Sequence, residues 1–165
     1  MKKIFLILAS ILLFTTASIA GAQKVVYNND NALKGLKETK AYFDVTVGNP
    51  KLLLIRLQLV EKTYNQLVTA GVTPTFVVGI RGKASNYITK GTDYVLDIDL
   101  PEKESIATMV QKLSALGIAL EQCRIAAGFE DIDVADFLPE VALVANGYVS
   151  MIGYHAQGYG FIPMD

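Results

Sequence analysis

A long amphipathic segment between two strand-like runs constrains the fold of this chain more than any other feature. Apolar side chains recur along it at helical spacing, at Leu53, Leu57, Val60, Tyr64 and Leu67. This spacing predicts a helix that buries one stripe of side chains. A helix of this length between two strands indicates a strand–helix–strand unit, which is the building block of parallel sheets.

Local sequence signals also indicate where this helix begins and ends and where the flanking strands lie. Asn49 can cap the first turn, Pro50 suits the first helical position, and Gly71 can end the helix in the left-handed conformation. Residues 41–47 alternate and are rich in β-branched and aromatic side chains, which predicts the first core strand. Residues 75–80 are almost continuously apolar, as is typical of a strand covered on both faces.

The same alternation continues toward the carboxyl terminus. Residues 101–116 predict a second helix, residues 118–125 a strand that contains the cysteine, and residues 134–138 a short helical turn. Residues 141–144 predict another buried strand, and residues 161–163 a final strand at a sheet edge because of its proline. Together these segments predict an α/β fold, an open and mainly parallel sheet with helices on both faces.

One dipeptide in this region has two interpretations. Asn146-Gly147 between apolar runs is a strong hairpin signal. In an α/β chain, however, the same position is where a crossover helix should begin. We therefore expect a helix after Asn146 rather than a hairpin.

The amino terminus has the pattern of a secretory signal peptide. Lys2 and Lys3 precede an apolar run, and Ala20-Gly21-Ala22 supplies a small-residue cleavage site. We expect residues 1–22 to be removed and the protein to be exported, to the periplasm if the cell is Gram-negative. The alternative, an uncleaved membrane anchor, needs a longer apolar run than this one. Residues 23–40 then form a polar leader, and residues 41–165 one α/β domain.

Charge and motifs argue against several classes of function. The formal net charge of the whole sequence is −1, so no basic excess points to nucleic acid or to an anionic membrane. No second apolar run predicts a membrane span after signal cleavage. Neither a GxGxxG nor a phosphate-loop pattern occurs, and we expect no nucleotide cofactor. We also expect no metal, because zinc needs three or four ligands and one cysteine with one histidine falls short.

Cys123 is the only cysteine of the chain, so it has no partner for an intramolecular disulfide. It is either a small buried apolar side chain or a functional thiol. Arg81 and Asn86 follow the strand predicted over residues 75–80, at the edge where open α/β sheets place ligands. His155, the only histidine, could act as a base toward Cys123, although nothing in the sequence brings the two together.

Several segments resemble the DsrE/DsrF-like family, and more particularly its exported branch. They cover nearly the whole chain after the signal peptide. The segment over residues 146–159, NGYVSMIGYHAQGY, is the most specific, and the cysteine segment over residues 121–127, EQCRIAA, would be weak on its own. Residues 47–50, 76–82 and 138–144 complete the resemblance.

This resemblance implies a flavodoxin-like α/β fold and a homo-oligomer, often a trimer or hexamer. It also implies that Cys123 matches the cysteine on which cytoplasmic members carry sulfur as a persulfide. Two hypotheses follow for this chain. In the first, Cys123 is the catalytic thiol of a sulfur carrier with an unidentified sulfur donor or acceptor, and Arg81, Asn86, Tyr154 and His155 line its pocket. In the second, the protein is a non-catalytic oligomeric module that binds a small ligand or a protein partner, and Cys123 is only packed. The sequence leaves open whether the protein is an enzyme.

Overall fold

The computed structural model describes residues 27–165. The predicted signal peptide, residues 1–22, lies outside the described residues, and so do residues 23–26 of the predicted leader. Within residues 27–165, no helix is both long and apolar enough to cross a membrane.

One parallel sheet of five strands forms the centre of the described fold, with the strand order β4-β3-β2-β1-β5. The strands are β1 (Glu38–Val45), β2 (Thr73–Ile80), β3 (Ala119–Cys123), β4 (Ala142–Val144) and β5 (Gly160–Met164). The helices are α1 (Asp30–Leu33), α2 (Pro50–Thr69), α3 (Leu100–Ala115), α4 (Arg124–Phe129) and α5 (Gly147–Ala156). Three short 3₁₀ segments complete the chain, Gly82–Ile88, Asp97–Asp99 and Val134–Asp136.

The predicted fold class, a flavodoxin-like open sheet with helices on both faces, is confirmed. The strand order differs in detail from the 2-1-3-4-5 order of flavodoxin itself. Here β1 to β4 are added in one direction, and the connection through α5 then returns across the sheet to place β5 beside β1. Because crossovers are right-handed, this reversal puts α5 on the face opposite to α2 and α3.

Alternating side chains of β1 show the two faces of the sheet. Phe43 packs edge-on against Phe76, which in turn packs against Tyr64 of α2. Tyr42, the preceding residue, points to the other face and packs against Tyr154 of α5. The larger hydrophobic core lies on the α2 and α3 face, whereas α5 is the principal cover of the second face among the described residues.

The predicted signals of α2 are confirmed. The Asn49 side chain accepts a hydrogen bond from the backbone N–H of Leu52 at 3.0 Å, Pro50 is the first helical residue, and Gly71 has a φ of 77°. Of the predicted stripe, Leu53, Leu57 and Val60 are fully buried. Tyr64 and Leu67, which lie nearer the end of the helix, are half-buried against the core.

Other predicted boundaries were wrong. The cysteine strand ends at Cys123 rather than at residue 125, because the chain turns into α4 at Arg124. The short turn predicted over residues 134–138 covers only Val134–Asp136. The strand predicted as buried over residues 141–144 is a three-residue edge strand, and two of its three residues are exposed.

At the amino-terminal side, the predicted leader contains more structure than expected. It includes the four-residue α1, and β1 begins at Glu38, three residues before the predicted start of the domain. At the carboxyl-terminal side, the predicted crossover helix after Asn146 and the edge position of the last strand are both confirmed.

Candidate functional site

Cys123 is the last residue of β3 and lies where three elements meet. Its Sγ accepts a hydrogen bond from the backbone N–H of Gly147, the first residue of α5, at 3.2 Å. A Cβ atom at position 147 would lie 3.1 Å from the Cβ of Cys123, so glycine allows α5 to approach this closely. The side chain of Cys123 is only 6% exposed.

The sheet register places Arg81 beside this thiol. Ile80 of β2 pairs with Gln122 of β3, so the next residues of the two strands, Arg81 and Cys123, lie at the same level. The backbone at Arg81 is still extended, with φ −158° and ψ 174°. Because successive side chains of a strand point to opposite faces of the sheet, both Arg81 and Cys123 point to the face covered by α5. The two strands are neighbours, about 4.8 Å apart.

A cavity of about 380 Å³ opens at this point, at the carboxyl edge of the sheet. We call it the cysteine cavity. It is lined by Arg81, Gly82, Cys123, Ile125, Ala126, Phe129, Glu130, Asn146 and Tyr148. Open α/β sheets place their ligands outside the carboxyl ends of the strands, and this cavity has that location. Its size lies within the range of sites for small ligands.

Arg81 is held rigidly in the wall of the cysteine cavity. Its Nε and Nη2 donate to the two carboxylate oxygens of Asp44 at 2.8 and 2.7 Å. Tyr148 covers the guanidinium, with 5.1 Å between the guanidinium carbon and the ring centroid. Hydrogen bonding to Asp44 raises the pKa of Arg81, and burial opposes this effect. The remaining N–H groups of the guanidinium have no acceptor among the described residues, so they are free to bind a ligand.

The opposite wall is formed mainly by apolar side chains of α4. Phe129 is 81% exposed and Ile125 is also exposed, although both are large hydrophobic residues. Glu130 ends this wall, and its carboxylate accepts a hydrogen bond from Lys83 at 2.7 Å. Because Glu130 and Arg81 both have partners of opposite charge, the cavity carries no large excess charge.

A second polar cluster lies under α5, one row below Cys123. Tyr154 donates its hydroxyl to Glu121 at 2.6 Å, and this bond, with burial, raises the pKa of Tyr154 to about 12. Burial, followed by the charges of Glu121 and Asp44, raises the pKa of Tyr42. The other carboxylate oxygen of Glu121 is buried and has no partner within residues 27–165.

The residues predicted for the site are only partly brought together. Cys123 and Arg81 line the same cavity. Asn86 lies in the Gly82–Ile88 segment and lines a different surface cavity together with Asp93 and Tyr94.

The two predicted site residues of α5 are also outside the lining of the cysteine cavity. Tyr154 contacts Glu121 and Tyr42 beneath the helix. His155 is exposed in the last turn of α5. Helix rise places both residues about 9 Å or more along the axis from Tyr148. The hydrogen bond to Cys123 comes from the Gly147 N–H and not from His155, so the described residues form no Cys-His pair.

Sequence reasoning missed most of the cavity lining. Tyr148 and Asn146 could have been found from the predicted start of the crossover helix, because that start must lie beside the ends of the strands. Ile125 and Phe129 could not, because the predicted cysteine strand extends two residues beyond Cys123, over the start of α4. In the described part of the chain, no group of three or more His, Cys, Asp or Glu side chains is arranged to hold a metal ion.

Fold and site together define an open parallel α/β protein with a thiol-containing cavity at the carboxyl edge of its sheet. No protein-family model matches the sequence. Among curated proteins, an uncharacterized protein of Aquifex aeolicus (strain VF5) is 26% identical over 125 residues, which is 75% of this chain and 55% of that protein. This chain therefore spans little more than half the length of the relative that it matches.

A solved structure supports the fold. A protein of unknown function from Methanobacterium thermoautotrophicum superposes with a TM-score of 0.61 at 15% identity, over 76% of this chain and 98% of that one. At this level of identity the likeness extends to the α/β fold alone.

Proposed function

We propose that the protein carries sulfane sulfur as a persulfide on Cys123. The observation that carries the proposal is the position of the thiol. Its Sγ lines a cavity of ligand size, accepts the Gly147 N–H, and lies one strand away from the Arg81 guanidinium. The resemblance of residues 121–127 and 146–159 to sulfur-carrying proteins adds to this proposal, because these segments form two sides of the same cavity.

The chemical step needs no oxidant or cofactor. The Cys123 thiolate attacks the sulfane sulfur of a donor such as thiosulfate, a new S–S bond forms, and the old S–S bond breaks. Sulfite leaves with the electron pair of the broken bond, and the enzyme-bound persulfide remains. An acceptor thiolate then attacks the outer sulfur, takes it as its own persulfide, and regenerates the Cys123 thiolate.

Four residues would assist this step. Arg81 offers its free N–H groups to the anionic donor and to the leaving group, and its pairing with Asp44 keeps it in place. The Gly147 N–H supports negative charge on the sulfur. The apolar wall of Ile125 and Phe129 limits water around the persulfide.

We further propose that the protein works as a homo-oligomer in an exported setting. Large apolar side chains are exposed on three helices: Phe129 of α4 and Val149 and Ile152 of α5 are each more than 60% exposed, and Ile55 and Leu59 are exposed on α2. Exposed apolar side chains in such numbers favour burial against another protein surface. An exported address, which rests on residues 1–22, makes a small extracytoplasmic sulfur compound the natural donor.

The test is direct detection of the persulfide. The purified protein is incubated with thiosulfate or polysulfide and analysed by mass spectrometry beside a Cys123→Ser variant. We expect the wild-type protein to gain one sulfur atom, removable by a reducing thiol, and the variant to gain none. An Arg81→Met variant should load more slowly from thiosulfate than from a neutral trisulfide, whereas Lys62→Met, on the exposed surface of α2 and outside the cavity lining, should change neither rate.

A second candidate function is a module that binds a small ligand without chemistry at the thiol. The low exposure of Cys123 and the apolar wall favour it. It predicts that Cys123 resists alkylation near neutral pH until a denaturant is added. That result, together with no persulfide on the wild-type protein, would end the carrier proposal and leave the binding module.

A further inference from the structure

A buried lysine on the other side of the sheet defines a second site. Lys103 lies in the second turn of α3, and although it is charged it is only 6% exposed. Its Nζ donates to the carbonyl oxygen of Thr89 at 2.6 Å and to the Thr89 hydroxyl at 2.7 Å. These contacts fix the amine beside the loop that follows the Gly82–Ile88 segment.

This amine lacks a counter-ion in the described part of the chain. None of the four ion pairs found there includes Lys103. An ammonium has three N–H donors, and Thr89 accepts two of them. The third has no acceptor among residues 27–165. Burial alone lowers the pKa of Lys103 to about 8, because a charge removed from water without a partner is costly.

A cavity of about 340 Å³ lies next to the amine. We call it the lysine cavity. Its walls include the apolar side chains of Leu100, Ala107 and Leu138, and its polar lining includes Thr89 and Thr92. A largely apolar cavity of this size with one fixed cationic donor has the composition of a site for a small organic anion.

The charges around the lysine cavity limit what kind of anion fits. Lys90 from the loop and Glu104 from α3 also line it, and both are exposed. Lys90 donates its Nζ to the Ala135 carbonyl at 2.9 Å, which holds it toward the Val134–Asp136 segment. Asp136, the carboxylate of that segment, accepts a hydrogen bond from the Tyr94 hydroxyl rather than from Lys90. The lining thus carries two positive charges and one negative charge, which matches a single negative charge on the ligand.

We propose that the lysine cavity binds a small monocarboxylate, whose carboxylate accepts the third N–H of Lys103. A short alkyl chain lies against Leu100 and Leu138. Glu104 repels a second negative charge, so a dicarboxylate binds more weakly. The site is separate from the cysteine cavity and does not depend on sulfur chemistry at Cys123.

Proton linkage gives the proposal a specific signature. The carboxylate binds the protonated amine, so above the pKa of the ligand's own carboxyl group its affinity should be constant up to about pH 8. Above that pH the unoccupied amine loses its proton, and affinity should fall by roughly tenfold for each further pH unit. Conversely, the bound anion should raise the pKa of Lys103.

The experiment is titration of the protein with acetate, butyrate, hexanoate and succinate, followed by calorimetry and by NMR of the lysine side-chain signals. We expect saturable binding that is stronger for butyrate than for acetate or succinate. Lys103→Met should weaken butyrate binding by at least about tenfold, and Lys62→Met, on the exposed surface of α2 and outside the cavity lining, should leave it unchanged. Glu104→Gln should bring succinate closer to butyrate.

A second variant keeps the test informative if Lys103→Met does not fold. Ala107→Leu adds bulk to the cavity wall while leaving the amine in place, and it should also abolish binding. The proposal is overturned if none of the four carboxylates binds saturably, if butyrate affinity is unchanged in Ala107→Leu or in Lys103→Met, or if affinity does not fall above about pH 8.

Discussion

At the scale of single residues, the face of the sheet under α5 depends on one glycine. Gly79 of β2 pairs in register with Asp44 of β1 and with Glu121 of β3, so these three positions form one row across the sheet. The Tyr42 ring crosses the surface of this row, and a Cβ atom at position 79 would collide with its hydroxyl. The missing side chain of Gly79 therefore makes room for Tyr42 between two carboxylates.

This geometry predicts the effect of Gly79→Ala. The added methyl group must displace Tyr42, and we expect the free energy of unfolding to fall by about 1–3 kcal/mol, as for other overpacked sites. Urea denaturation measures this change. Gly153→Ala in α5 is the matched control, because its Cβ meets nothing within 4 Å, and there alanine should stabilise the helix by about 0.5–1 kcal/mol.

A double-mutant cycle identifies the cause. Tyr42→Val removes the ring that the new methyl group meets, so Gly79→Ala should cost clearly less in that background than in the wild-type protein. Equal costs in the two backgrounds would show that Tyr42 is not the reason for glycine at position 79.

At the scale of elements, the stability of the first turn of α5 controls how accessible the Cys123 thiol is. Asn146 caps α5 by accepting a hydrogen bond from the N–H of Tyr148 at 2.9 Å, and the preceding N–H, that of Gly147, is donated to the sulfur of Cys123. The first turn of α5 thus closes one side of the cysteine cavity. Loss of the cap should fray this turn and uncover the thiol.

We therefore expect Asn146→Ala to have two effects. It should lower the free energy of unfolding by about 1 kcal/mol, as is usual for a lost cap, and it should speed alkylation of Cys123 under native conditions several-fold. Asn49→Ala is the matched control, because Asn49 caps α2 through an equivalent bond to Leu52 at 3.0 Å. It should cost a similar stability without changing alkylation. Equal acceleration in both variants would indicate global rather than local opening.

The sequence predicted these elements to different degrees, for physical reasons. The core of α2 and its cap were predictable because Asn49, Pro50 and the buried stripe are local signals that agree with each other. The end of β3 was not, since apolar Ile125 continues the strand pattern while the chain already turns into α4 at Arg124.

The candidate site was predictable only where strand register decides it. Cys123 and Arg81 lie near the carboxyl ends of neighbouring parallel strands, and their neighbourhood follows from the order of elements. The direction in which a helical side chain points does not follow from the order of elements. Tyr148 lies at the cysteine cavity, whereas Tyr154, one and two-thirds turns further along the same helix by its 3.6-residue period, lies over Glu121. Only packing distinguishes the two tyrosines.

At the scale of the whole molecule, two kinds of buried group give the stability an unusual dependence on pH. Lys103 has a pKa lowered to about 8 in the folded protein, against about 10.4 in an unfolded chain. The pKa of Tyr154 is raised to about 12, and the pKa of Tyr42 is raised as well. Both tyrosines therefore lose their protons at higher pH in the folded protein than in the unfolded chain. The lysine and the tyrosines therefore act in opposite directions and in different pH ranges.

Between about pH 8 and 10 the unfolded chain holds more protons at position 103 than the folded protein does, so stability should rise with pH, by at most about 1.4 kcal/mol per unit. Above about pH 10 the unfolded chain loses tyrosine protons that Tyr42 and Tyr154 still keep in the folded protein, so stability should fall.

Urea denaturation at a series of pH values, in buffers without carboxylates, measures both limbs of this pH profile. Lys103→Met should remove the rise and keep the fall, while Tyr154→Phe should reduce the fall and keep the rise. A profile that declines steadily from pH 8 in the wild-type protein would mean that Lys103 is not desolvated, and the anion site proposed beside it would lose its physical basis.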